Sequence, residues 1–306
     1  MISINIHDET APLEAVVLGT AENFGGTPSI EEAYDPKSIE HIKDNTFPKE
    51  PDLIEQLDQV NQVLLKYGVE VYRPALIPSY NQIFSRDIGI ALGDQFILPT
   101  IFQDRSKEIE GLDYLVKEFD PTKLLHPEKH ERMEGGDVIA WKGHLYVGYS
   151  TESDFKKYKV ARTNEYGVDF LNTHFREWTV YAFELNKSDD DPRANALHLD
   201  CCFQPIGHDK AIIHKEGFKY SSDADKIVEL FGIENIHFIN AEEMYQMHSN
   251  IFSIRPDVII SDRSFTRLNA KLEAWGITVE TVDYGEVSKM EGLLRCSTLP
   301  IRRTYV

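Results

Sequence analysis

Basic residues and cysteines are both scarce in this chain. Its 306 residues carry 32 Lys plus Arg against 51 Asp plus Glu, a formal net charge of −19. So acidic a surface repels phosphate backbones, so nucleic acid is not expected as a partner, whereas a small cation is drawn toward it. Only three cysteines occur, two of them adjacent (Cys201 and Cys202), which argues against a disulfide framework and for a reduced, cytoplasmic protein. No apolar run approaches the roughly 20 residues that a membrane helix needs, and the first residues lack the basic-then-apolar pattern of a secretory leader. No membrane partner is therefore expected. P-loop, Gly-x-Gly-x-x-Gly and Gly-x-Ser-x-Gly patterns are all absent, and no cofactor is expected.

Hydrophobic residues make up 42% of the chain, enough for a large core, and residues 1–306 are read as one domain. Three times a helix-like stretch meets a glycine and passes into a strand-like one: 53–67, Gly68 and 69–72; 224–231, Gly232 and 236–239; 265–275, Gly276 and 277–282. Glycine enters left-handed backbone without steric cost, so each is expected to end its helix. Leu53, Leu57, Val60 and Leu64 recur on one helical face, as a helix packed on a sheet requires. Hairpin-like pairs turn at Gly93-Asp94 and Lys142-Gly143, and two more pair 199–205 with 211–214 and 251–254 with 258–260. Helical patterns at 107–119 and 164–175 complete the remaining blocks. The chain thus parses into about five strand–strand–helix–strand units of roughly 60 residues each. Such units close as a ring with helices outside or pack as an ordinary α/β sandwich, and the repeat alone leaves both open. Residues 21–50, with Gly25, Gly26, Pro28, Pro36 and Pro48, fit no unit. They read as an irregular excursion that either covers a site as a lid or runs over the surface.

The chemistry-bearing residues lie far apart in sequence: Asp87 after Arg86, Glu134-Gly135-Gly136-Asp137, His198-Leu199-Asp200, and Cys296 near the end. A guanidinium is delocalised and permanently charged, hence a poor electrophile. Opening one takes carboxylates to fix it, a thiolate to attack its central carbon and an acid to protonate the departing nitrogen. These residues supply each role, provided that strand ends in a ring of repeats converge. His198 and Asp200, two apart, would share one strand face. A metal site is the chemical competitor, because His126, His130, Glu131 and Glu134 cluster, but their spacing matches no zinc motif and Pro127 interrupts a helical presentation. No metal is expected.

Together these motifs resemble the amidinotransferase/arginine deiminase superfamily, the guanidine-modifying enzymes of the pentein fold. The resemblance implies an α/β fold of five pseudo-symmetric ββαβ-type units around a central site. It implies that Asp87 and Asp200 grip a guanidinium, that Cys296 is the nucleophile, and that Glu134 partners the catalytic His198. Arg86 belongs to the Arg-Asp element and is counted with the substrate-binding residues. Ala161-Arg162-Thr163-Asn164 is similar to a family signature whose arginine holds a substrate carboxylate. The substrate implied is a small cationic guanidino compound. Glu134 leans toward hydrolysis of deiminase type. Transfer of the amidino group to an amine, a dimethylargininase activity and a non-catalytic binding role stay open, as does assembly into a homo-oligomer.

Overall fold

The computed structural model describes residues 1–305. Their strands form five three-stranded sheets. Each sheet has an antiparallel pair and a third strand laid parallel to the central one. A parallel third strand requires a crossover, and in four sheets an α-helix supplies it. Helix Glu50–Lys66 carries Leu18 on to Glu70, and Glu165–His174, Ser221–Phe231 and Thr266–Ala274 do the same for later sheets. In the remaining sheet, the stretch 107–119 is mostly a 3₁₀ segment, Gln103–Leu112, followed by a short helix Asp113–Val116. Thus the ring is the arrangement adopted: an α/β pentein of five pseudo-symmetric units.

The three expected helix-ending glycines all lie in the left-handed region, at φ 74° for Gly68 and 79° for Gly232 and Gly276. The Leu53, Leu57, Val60 and Leu64 face is fully buried. The ring closes through its two ends. Strand Leu13–Leu18 pairs antiparallel with Thr298–Arg303 and parallel with Glu70–Tyr72, so the last strand of the chain completes the first unit. Cys296 immediately precedes that closing strand, which is why a residue near one terminus can join residues from the middle of the sequence.

Two local expectations are corrected. Leu199–Cys201 is a 3₁₀ turn and the strand starts at Phe203, so His198 and Asp200 are presented by a turn and not by strand alternation. Cys201 and Cys202 sit at this turn, both buried. Within residues 21–50, Pro36–Lys43 forms a helix whose N-cap Asp35 accepts the Ser38 amide at 2.6 Å. Proline at the first helical position loses no hydrogen bond, so Pro36 starts this helix instead of breaking it.

Candidate active site

Every unit presents a turn just before its first strand, and the five turns are bonded to one another in a closed ring. Asp87 Oδ1 accepts the Gly136 amide at 3.0 Å, and Asp137 Oδ1 accepts the Leu199 amide at 2.9 Å. Ser249 Oγ donates to the Asp200 carbonyl at 2.8 Å, Arg295 N to the Asn250 carbonyl at 3.1 Å, and Arg86 N to the Cys296 carbonyl at 3.0 Å. Asp87, Glu134, His198, Asp200 and Cys296 are thereby gathered on one axis, each no more than 2% exposed.

Geometry assigns distinct surroundings to each group. His198 Nε2 lies 2.8 Å from Glu134 Oε2, while its Nδ1 is buried without a hydrogen-bond partner, 3.9 Å from Asp87 Oδ1. Burial alone would lower the imidazole pKa, but the Asp87 charge, the Glu134 hydrogen bond and Asp137 overcome it and raise it to about 9. Glu134 shows the matching response: burial works to raise it, and Arg162, the His198 bond and Arg105 hold it well below the ordinary carboxylate range. Cys296 Sγ stands 3.7 Å from Asp200 Oδ2 and receives a hydrogen bond from Asn250 Nδ2 at 3.1 Å. Burial, then the Asp200 and Asp87 charges, push its thiol well above 9. At neutral pH the imidazole is therefore protonated and the thiol neutral.

The Glu-Gly-Gly-Asp motif has a steric reason. A Cβ on Gly135 would lie 2.0 Å from the Arg86 carbonyl oxygen, and one on Gly136 would lie 2.7 Å from the His198 ring. Gly136→Ala must displace the imidazole, and a shift of about 1 Å in a catalytic group costs on the order of 100-fold in rate. The expected outcome is a folded protein with turnover down by about that factor, measured by steady-state product release beside a melting curve; wild-type rates would refute it.

Two resident arginines, Arg105 and Arg295, were given no role by sequence reasoning. Arg105 forks onto Glu108 with two 2.8 Å bonds and donates to Asp87 Oδ2 at 2.8 Å, so one of the two expected guanidinium grips already holds a guanidinium. Arg295 donates to Asp200 Oδ2 at 2.8 Å, to Glu9 Oε1 at 2.9 Å and to the Val138 carbonyl at 2.9 Å. Arg86, expected to bind substrate, is turned away: its side chain donates to Glu9 at 3.2 Å and to the Arg295 carbonyl at 3.3 Å, so it braces the nucleophile segment. Arg162 is 1% exposed beside the Tyr34 and Phe102 rings, donates to the Tyr34 carbonyl and stands 3.5 Å from Glu134. Its Nε and Nη1 make no hydrogen bond.

Asp87, Glu134 and His198 bring ligand atoms within 4.8 Å of one another, the grouping best placed to hold a metal. Their ligand atoms are, however, already given to Arg105 and to the His198–Glu134 bond. His126 and His130, the sequence-level competitors, are exposed and separate from this group. A cavity of about 450 Å³ abuts the site, lined by Tyr34, Asp35, Tyr80, Asn81, Glu108 and Met290 among others. A larger cavity, about 970 Å³, includes Lys187, Arg193, His214 and Arg267 but none of the gathered groups. Chemistry and not volume locates the site.

The family model described as N,N dimethylarginine dimethylhydrolase, eukaryotic, matches residues 40–303. The chain is similar to the uncharacterized protein YkgA of Bacillus subtilis, 25% identical over 81% of this chain and 80% of that one. It is also similar to an arginine deiminase of Streptococcus pneumoniae, 25% identical over 88% of this chain and 70% of the relative. In other strains the match spans 64% of the deiminase. Among solved structures, the N-terminal domain of ArgZ, an arginine dihydrolase from the ornithine–ammonia cycle in cyanobacteria, superposes with a TM-score of 0.77 at 17% identity, over 94% of this chain and 98% of that one. The inosamine-phosphate amidinotransferase StrB1 of Streptomyces griseus gives 0.76 at 18% identity, over 99% and 97%. These last two likenesses show the fold. No described helix is long and apolar enough to cross a membrane.

Proposed function

Because the chain belongs to the N,N-dimethylarginine dimethylhydrolase family, within the amidinotransferase/arginine deiminase superfamily, we propose that it hydrolyses the guanidino group of arginine or a close relative. The observation that carries this reading is the ring of turns, which places Cys296 beside Asp200 and the His198–Glu134 pair beside Asp87. Hydrolysis is favoured over transfer because the matching family and the arginine deiminase relatives both bear hydrolase names. The family name also favours a second substrate, an arginine methylated on its guanidino nitrogen.

In the proposed mechanism Asp87 and Asp200 hold the guanidinium through oxygen lone pairs beyond those given to Arg105 and Arg295. The arriving cation lowers the cost of ionising Cys296: its thiol loses a proton to solvent, and the resulting thiolate adds to the central carbon. The carbon–nitrogen bond then breaks as His198 Nδ1 gives its proton to the departing ammonia or alkylamine. A covalent amidino-cysteine remains. Neutral His198 next takes a proton from water, the hydroxide adds to the same carbon, and the carbon–sulfur bond breaks to release a ureido product and restore the thiolate. The overall exchange is one water for one amine, with no electron transfer. Arg162, whose Nε and Nη1 make no hydrogen bond, is the proposed holder of a substrate carboxylate.

The test is to incubate the protein with arginine, methylated arginines, agmatine and guanidinoacetate, with and without glycine, reading ammonia, ureido product and the mass of Cys296. An amidino adduct on Cys296 with ureido product supports hydrolysis. Ornithine formed only when an amine is present would instead establish transfer, and an unmodified Cys296 with no product would overturn both.

The charge on His198 gives a separate prediction. Its folded pKa, raised to about 9, should appear as a ring titration near that pH by NMR, and Glu134→Gln should move it down. A raised pKa contributes stability that is complete below the unfolded value of about 6.5 and is lost as pH rises through about 9. A wild-type ring titrating near 6.5 would contradict the assignment.

A further inference from the structure

Four of the five turns supply the groups used so far; the fifth, at residues 246–250 ahead of strand Phe252–Arg255, supplies none. We infer that Asn250, which ends this turn, is a catalytic residue that directs the Cys296 sulfur and stabilises the negative charge on it during attack and departure. The inference rests on Cys296 being the nucleophile.

Asn250 is fully buried, and its side-chain oxygen, side-chain amino group and backbone carbonyl all meet the nucleophile segment, while its own amide closes the turn onto the Met247 carbonyl. Its side-chain oxygen accepts the Cys296 amide at 3.0 Å, its Nδ2 donates to Cys296 Sγ at 3.1 Å, and its carbonyl accepts the Arg295 amide at 3.1 Å. The orientation of the carboxamide is fixed by chemistry. A backbone N–H can only donate, so the oxygen must face it and the amino group must face sulfur. Among the described residues no other side chain donates a hydrogen bond to this sulfur; its other close neighbours are the two Asp200 oxygens at 3.7 and 3.9 Å, which repel a thiolate. An uncharged donor opposite a carboxylate is what lets the sulfur ionise without a permanent cation, which would compete for the substrate's own positive place. The preceding residue, Ser249, bonds the Asp200 carbonyl, so one short turn sets both the attacking atom and the group opposite it.

A hydrogen bond to a charged group is worth about 10- to 100-fold in an equilibrium or a rate. Asn250→Ala should therefore lower kcat about 10- to 100-fold with KM little changed, and slow iodoacetamide alkylation of Cys296 at pH 8 by about 10-fold. Asn250→Asp keeps the acceptor and the shape but turns the donor into a carboxylate, and should be slower still. Should both variants unfold, the wild-type protein carries the test: the Asn250 side-chain amide, seen by NMR with labelled asparagine, should titrate together with Cys296 alkylation and lose that titration in Cys296→Ala. A folded Asn250→Ala with wild-type kcat and an unchanged alkylation profile overturns the inference, as does an amide resonance blind to thiol ionisation. If wild type itself turns over and forms the Cys296 adduct, such a result condemns only the role of Asn250. If it does neither, the hydrolase reading has failed first.

Discussion

Cys296→Ser is expected to reduce turnover by on the order of 10⁴-fold or more while leaving the fold and ligand binding in place. A serine hydroxyl is a far weaker nucleophile than a thiolate unless a base removes its proton, and no base is poised for that here. His198 already carries a proton at neutral pH, with its pKa raised to about 9, and the carboxylate nearest the sulfur, Asp200, opposes a new negative charge. The thiol meets the same opposition but is softer and more acidic, so an arriving cation can bring it within reach. Serine keeps the Asn250 donor and the backbone bond at position 296, so the melting midpoint should stay near wild type. Calorimetric binding of arginine or a methylated arginine should persist, because Asp87 and Asp200 are untouched. Product release measured over hours sets the factor; a serine variant within tenfold of wild type would mean that sulfur is not the attacking atom.

Residue type carried a great deal of this site into the sequence. Cys296, His198, Glu134, Asp87 and Asp200 could be picked out because guanidinium chemistry needs a thiol, an imidazole and carboxylates, and all five converge. The helix-ending glycines were legible for a local reason, since a left-handed φ at Gly68, Gly232 and Gly276 constrains the residue whatever lies around it. Arg105 was not legible. It lies just ahead of the stretch 107–119 that reads as helix, and its value depends on Asp87, 18 positions away, and on a 3₁₀ turn that sequence periodicity does not announce. Arg86 was misassigned because a motif fixes neighbours in the chain and not side-chain direction; here the aspartate faces the axis while the arginine meets Glu9. Asn250 could have been found. Four strand beginnings with chemistry in a five-fold repeat point to the fifth, just before residues 251–254.

Glu9 shows the opposite limit, and its removal has the largest expected effect on stability. It lies 286 residues from Arg295 in sequence, yet accepts from Arg295 at 2.9 Å and from Arg86 at 3.2 Å in a buried setting. Burial would raise its pKa, but the Arg295 and Arg86 charges hold it down at about 2. Glu9→Ala leaves buried Arg86 without its carboxylate and Arg295 with Asp200 alone, and breaking a buried pair in this way costs about 3–5 kcal/mol. Glu9→Gln keeps the shape and removes the charge, so it separates packing from electrostatics and should fall between Ala and wild type. A depressed carboxylate pKa contributes stability that is complete above the unfolded value of about 4.3 and is lost as pH falls through the folded value of about 2. The gap between wild type and Glu9→Gln in urea melts should therefore be full at pH 7 and shrink between about pH 4 and pH 2; a constant gap would show that charge is not its source. Activity follows from the same contacts. Among the described residues Glu9 is the one carboxylate besides Asp200 that holds Arg295, with the Val138 carbonyl, so a loosened Arg295 misplaces both the substrate grip and the adjoining nucleophile, and Glu9→Gln should lose turnover even at temperatures where it remains folded.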